Sequence, residues 1–359
     1  MSAGESAIDL RRWAVVGPKN GTGLGRMTVD LRRMFGLGRH IVIPNDRLEN
    51  DPLEEPWDVL LRADAPASEA ETSLEGLQGV VFLERTGNVE LLRVAHRKGI
   101  HTVCVPMWEW FNGKEPDWQL CGLFICPNRY GLSVVQRFGF KNVIHLPWPL
   151  EIARFPERKV TGPARVFVHN AGLVDQDDRK GTRDAIVAFQ RVKNPDIRLI
   201  VRMQKEAEMP RGDSRIEIIV GNLANPGALY AEGDVAIQPS KLEGLGFMVL
   251  EPVAAGLPVV TLNYPPMNEI VRNPALLVRP RWFKRRSYGA VWFKQAHLRL
   301  PCRRDLARKI AWCAENDLTE ISAYNRRWAT ETFDPETLRQ QWIAVLHERF
   351  LASSQRSAK

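Results

Sequence analysis

Residues 233–269 read GDVAIQPSKLEGLGFMVLEPVAAGLPVVTLNYPPMNE, and the order of signals within them decides the fold. The four residues from Val235 form a short buried strand, broken by Pro239 and Ser240. A loop carrying Gly244 and Gly246 follows. Residues 247–255 then read as a helix stopped by Gly256, with Pro258 just beyond it. Residues 259–262 give the next strand. Such a strand–loop–helix–strand unit belongs to a doubly wound α/β sheet. Its glycine-rich loop feeds a helix N-terminus, where free backbone N–H groups and the helix dipole favour an anion. Two carboxylates, Glu243 and Glu251, bracket that corner.

The whole string resembles the donor-site signature of retaining GT-B glycosyltransferases of family four, which includes sucrose synthases and mannosyltransferases. The matching positions are Pro239, Ser240, Glu243, Gly244, Gly246, Leu250, Glu251, Ala255, Gly256, Pro258, Val259, Val260 and Glu269. The resemblance implies that Glu251 binds the ribose hydroxyls of a nucleotide sugar and that Glu243 lies beside the transferred sugar. Amides from Gly244 through Leu245, Gly246 and Phe247 would meet the diphosphate. It further implies an α/β GT-B fold, two Rossmann-like domains facing each other across a cleft. The resemblance also implies a UDP-sugar donor, with glucose the expected sugar, transfer with retention, and no required metal or other cofactor. In the family's front-face mechanism the departing diphosphate takes the acceptor proton.

At 359 residues the chain is too long for one core and suits two domains, which we place at 1–151 and 152–335, with a C-terminal helix over 336–352 crossing back to the first. An apolar content of 44% with 26% charged residues is that of a soluble globular protein. The polar first thirteen residues predict no signal peptide, and no apolar run reaches membrane-spanning length. Five cysteines without a CxxC pair predict reduced thiols, no metal cluster and a cytoplasmic location.

Upstream, residues 13–16 read as a strand running into GPKNGTGLGR at 17–26 and a helix through Arg33. Several family members carry a glycine-rich loop here, near the donor phosphates and the acceptor, which makes Gly23 a candidate contact; the alternative is an ordinary tight strand–helix turn. Further strands are expected at 41–43, 80–83 and 102–105. The last opens into PMWEWFNGKEPDW at 106–118, either a recognition surface at a strand's carboxyl end or a buried aromatic cluster. Glu109 in that segment is the candidate for contacting the acceptor hydroxyl.

The second domain begins with a strand at 165–169 and a helix at 182–192. The family places a Lys here that meets the donor diphosphate, and Lys180 matches it. The family's partner Arg follows a Gly upstream, but this chain reads Gly172-Leu173, leaving Arg179 or Arg202 to supply the charge. Asp175-Gln-Asp177 could hold a divalent metal through oxygen, yet in this context we read the pair as solvated loop acids. Strands at 197–201 and 215–220 follow, the latter running into Asn222 and Leu223, where family members hold the nucleotide base through backbone groups.

Residues 279–309, RPRWFKRRSYGAVWFKQAHLRLPCRRDLARK, hold eleven Lys or Arg against one acid, a net of +10 in a chain whose total is +8. Trp-Phe-Lys occurs twice in it, at Trp282 and Trp292. Arg281, Lys284, Arg285, Arg286 and Lys294 interleaved with those aromatics suit a polyanion with exposed bases. They would equally suit anionic lipid headgroups. Bacteriophages encode GT-B enzymes that glycosylate hydroxymethylated bases in DNA, and this chain is similar to them in charge logic. The expected acceptor is therefore DNA. A lipid-linked or polysaccharide acceptor at a membrane face is the alternative, and a non-catalytic nucleotide-sugar or polyanion binder the second. Helices are expected from Asp305 and, amphipathic, over 336–351.

Overall fold

The computed structural model describes residues 7–45, 49–174, 177–223, 225–287 and 296–352, with 226, 282–287 and 352 as backbone. Two compact units emerge, one from Met1–Leu150 with Pro335–Lys359, the other from Glu151–Asp334.

The first unit is built on a parallel sheet of β1 (Trp13–Gly17), β2 (Arg39–Val42), β3 (Asp58–Leu60), β4 (Gly79–Leu83), β5 (His101–Val105), β6 (Leu123–Cys126) and β7 (Val143–His145). Their spatial order is β3-β2-β1-β4-β5-β6-β7. Strands β1, β4 and β6 are buried at every position, as parallel strands covered on both faces must be. The chain winds outward from β1 to β3, then returns to β4 on the other side. The crevice at the carboxyl ends of β1 and β4 is therefore this sheet's switch point.

Helices α1 (Gly23–Phe35), α2 (Ala67–Ser73), α3 (Val89–Arg97) and α4 (Arg129–Arg137) belong to the same unit. The glycine-rich loop after β1 ends where the Thr22 hydroxyl caps α1 by accepting from Gly25 N at 3.0 Å. A Cβ on Gly25 would collide with the backbone and side chain of Asn20, whereas Gly23 faces open space. Of the aromatic segment, Phe111 and Trp118 are core residues, with Phe111 edge-on to Phe124 (5.7 Å) and Phe138 (5.6 Å). Trp108 is likewise buried against Tyr130, and Trp110 carries Arg85 over its ring at 4.6 Å. The buried-cluster alternative thus accounts for Trp108, Phe111 and Trp118.

The second unit's sheet comprises β8 (Val166–Gly172), β9 (Arg198–Met203), β10 (Ile216–Val220), β11 (Val235–Gln238), β12 (Val259–Leu262) and β13 (Leu277–Val278), in the order β10-β9-β8-β11-β12-β13. It repeats the winding of the first, with its switch point between β8 and β11. The basic stretch after β13 folds in part as an antiparallel ribbon, β14 (Pro280–Ser287) with β15 (His297–Pro301). Helices α5 (Thr182–Phe189), α6 (Phe247–Ala254), α7 (Met267–Ile270), α8 (Arg303–Glu315) and α9 (Thr319–Phe333) complete this unit.

The chain then rejoins the first unit through α10 (Pro335–Leu346), which buries Leu338, Trp342 and Leu346. Trp342 meets Phe35 of α1 edge-on at 5.3 Å, and Phe350 stacks on His101 at 4.4 Å. Among the described residues, no helix is long and apolar enough to cross a membrane.

Candidate active site in the second unit

The site grows from two loops at the switch point, one after β8 and one after β11. The first carries Arg179 and Lys180 between two left-handed residues, Asp178 (φ 49°) and Gly181 (φ 75°). Asp178 holds the turn by accepting from the amides of Thr182 (2.7 Å) and Arg183 (3.0 Å) at the start of α5. Gly181 has a second constraint: a Cβ there would lie 2.5 Å from the Pro239 carbonyl, so only glycine lets the two loops touch. Lys241 N completes the seam by donating to the Arg179 carbonyl at 2.8 Å.

This seam brings three charged side chains together. Lys180 Nζ lies 2.6 Å from Glu243 Oε1, and Arg179 Nη1 lies 3.2 Å from Glu243 Oε2 while also donating to the Leu242 carbonyl at 2.8 Å. Glu243 is 5% exposed. Burial alone would raise its carboxyl, but the charges of Lys180 and Arg179 outweigh that and hold it at about 2. Burial and repulsion from Arg179 lower the Lys180 ammonium, against the opposing pull of Glu243 and of Glu251. Glu251 is thus electrostatically part of the cluster. Its Oε2 accepts from the buried Tyr230 hydroxyl at 3.0 Å, which fixes the carboxylate.

Below the loops, His169 is fully buried on β8. Its Nδ1 donates to the Ile237 carbonyl at 2.6 Å, so Nε2 accepts from the Thr182 hydroxyl at 3.0 Å. Burial lowers its pKa, and a neutral ring suits a position beneath Lys180. Gly246 (φ 88°) turns the second loop into α6, whose first amides have no intrahelical acceptor. Two cations, one ionised carboxylate and a helix N-terminus make a seat for an anion with a carboxylate at its edge.

The remaining candidates lie on other segments. Arg202 pairs with Glu232, so Arg179 is the arginine at the Glu243 cluster. Asn222 accepts from Gln204 Nε2 at 3.1 Å beyond β10, and Leu223 follows it. Gly23 and Glu109 belong to the first unit, where Glu109 is half-buried after β5. Asp175 lies outside the described residues, as do Trp292 and Lys294 and the side chains of Trp282, Lys284, Arg285 and Arg286; Arg281 is exposed on β14. Part of the basic stretch is committed to the fold. Arg303 pairs with Asp184 at 2.6 Å, Arg308 with Asp305 at 2.7 Å, and Arg279 lies 3.6 Å from Asp305. The reading of residues 279–309 as one polyanion-facing insertion is corrected to that extent: α8 is an integral helix, and its Asp305 together with Asp184 of α5 pairs with three of those cations.

Sequence reasoning missed Tyr230, Asp178, Lys241 and Asp184. Only Asp178, an acid four residues before a helix-opening Thr, left a local capping signal.

Residues 164–284 match the family of glycosyl transferases group 1. No curated protein sequence matches the chain. Among solved structures, Anabaena HepE in complex with UDP has 12% identity and a TM-score of 0.68, over 94% of this chain and 99% of that one. Sucrose-phosphate synthase from Thermosynechococcus elongatus has 13% identity and a TM-score of 0.63, over 95% and 99%. The lipopolysaccharide outer core galactosyltransferase WaaB has 12% identity and a TM-score of 0.62, over 94% and 99%. The chain therefore has the GT-B fold of these proteins.

Proposed function

We propose that the protein is a retaining, UDP-sugar-dependent glycosyltransferase whose acceptor is a hydroxymethylated base in DNA. The observation that carries the enzyme class is the Arg179–Lys180–Glu243 cluster at the N-terminus of α6, in a stretch matching glycosyl transferases group 1. Lys180 and Arg179, released in part from Glu243, take the donor diphosphate together with the amides of residues 244–247. Glu251, fixed by Tyr230, receives the ribose hydroxyls. Glu243, ionised and buried, then faces the positive charge that develops on the sugar as the diphosphate leaves. The departing diphosphate accepts the acceptor proton, and Glu109 orients the acceptor hydroxyl.

The acceptor reading rests on the charge of residues 279–309. The WaaB likeness favours a second reading, a lipid-linked or polysaccharide acceptor at an anionic membrane face. Incubation with labelled UDP-sugars and unmodified or hydroxymethylated DNA, followed by nucleoside mass analysis, tests the proposal. The expected product is an α-glycoside of the modified base, formed without added metal. A β-glycoside, or activity lost with EDTA and restored by Mn²⁺, would overturn the mechanism. Negligible DNA binding at low salt together with co-sedimentation on anionic vesicles would move the acceptor to the second reading.

A further inference from the structure

Lys241 lies between Ser240 and Glu243, within the donor loop, yet its side chain is buried, only 6% exposed. Its Nζ is 3.2 Å from the Asp177 carbonyl, 3.4 Å from Asp178 Oδ2 and 3.3 Å from Asp184 Oδ2. Arg303 reaches the other oxygen of Asp184. Two cations and two carboxylates thus close a neutral network, buried at Lys241, Asp178 and Asp184 and open at Arg303, beside the cluster that Glu243 organises.

The network's members are not equivalent. Asp178 is the residue whose left-handed backbone and capping bonds set the direction of Arg179 and Lys180. Lys241 holds Asp178 from the side-chain end, and its own amide holds the Arg179 carbonyl. Its carbonyl accepts from Arg299 N on β15 at 2.9 Å, so the inserted ribbon is fastened to the same residue. One residue therefore ties the phosphate-side loop, the donor loop and the ribbon.

We propose that Lys241 is a positioning residue for the donor diphosphate: acting through Asp178, it holds the Arg179–Lys180 turn where both cations meet Glu243. This rests on the donor-site reading above. Removing Lys241 leaves Lys180 present but no longer held in place. Its effect should consequently disappear when Lys180 is already gone.

Calorimetry with UDP on Lys241→Met, Lys180→Met and the double variant tests this. Lys180→Met is expected to weaken UDP by roughly ten- to a hundredfold, as for a lost charged hydrogen bond. Lys241→Met alone should weaken it about tenfold, and the double variant should fall within about twofold of Lys180→Met. If the two losses multiply instead, Lys241 does not act through the turn and the proposal fails while the donor site stands. If Lys180→Met leaves UDP binding intact, the donor reading falls and this inference with it. Should Lys241→Met fail to fold, the pair Lys241→Met with Asp184→Asn removes one charge of each sign and keeps the network neutral. The same non-additivity with Lys180→Met is expected there, and simple multiplication overturns the proposal equally.

Discussion

The two sheets offer the same crevice, a first strand and its neighbour whose connections run off in opposite directions, and each sets a lysine in the segment after its first strand. After β1, the buried Lys19 meets two carboxylates, Asp58 at 2.6 Å and Glu54 at 3.1 Å, and the Pro52 carbonyl at 2.7 Å. At the β8–β11 crevice, Arg179 and Lys180 converge on one carboxylate, Glu243. In the first unit the cation is consumed by the protein, on the β2–β3 side of the sheet. In the second, two cations share Glu243, and an arriving anion can draw on both. Topology nominates the second place; the ratio of touching opposed charges separates a strut from a seat for phosphate.

The sharpest way to break this contrast is to remove each lysine. Lys19→Met should destabilise the protein by about 3–5 kcal/mol, because it strands Asp58 without its buried partner. Equilibrium denaturation measures that loss, and UDP affinity of the folded fraction should stay near wild type. A variant that kept its stability and lost UDP would erase the distinction. Lys180→Met should do the reverse, lowering turnover about 10²–10³-fold with a cooperative melt retained. Steady-state UDP release checks it, and an unfolded Lys180 variant would show that this lysine is a strut too.

One pH dependence of the first unit comes from His40 on β2. His40 is buried with Nε2 on the Gly17 carbonyl at 3.0 Å. Burial, outweighing that bond and Asp58, lowers it from 6.5 to about 4. The unfolded chain therefore binds a proton that the folded one refuses between those values. Stability is complete above about pH 6.5 and declines as pH falls to about 4, by roughly 3 kcal/mol in all. His40→Gln should flatten denaturation midpoints across that window, and an unchanged slope would refute the assignment. Glu243, held at about 2, predicts no change in its own charge over the same range.

The finest test lies at the rim of the second crevice. Glu251→Ala should weaken UDP by roughly ten- to a hundredfold, and Tyr230→Phe by only about two- to tenfold, since it frees one carboxylate oxygen without removing it. Equal losses would mean that Tyr230 itself touches the ligand.

How much of this the chain declares in advance depends on whether the physics is local. The strand–loop–helix unit around Glu243 was readable because each boundary has a nearby cause: Pro239, Gly246, Gly256, Pro258. Lys180 and Glu251 were readable through their spacing within a known pattern. Tyr230 was not, since its role exists only once a turn before β11 has been laid against α6. Lys241 carried the opposite difficulty, because a lysine in a polar loop looks solvated until Asp178 and Asp184 arrive from other elements. The basic stretch showed its charge but hid its pairing, for Asp184 is far off in sequence from Arg303. Short strands such as β3 and β6 left too little pattern for period counting; their neighbours in the sheet define them.

The return of the chain through α10 has a consequence for how the molecule is made. The first unit's sheet is complete by β7, but the residues that cover Phe35 and His101, namely Trp342 and Phe350, are translated only after the entire second unit. During synthesis the second unit, contiguous in the chain, can close on itself while the first stands with part of its apolar surface uncovered. The order of completion is thus the reverse of the order of translation, and of the two units the one whose sheet is translated first is the one finished last.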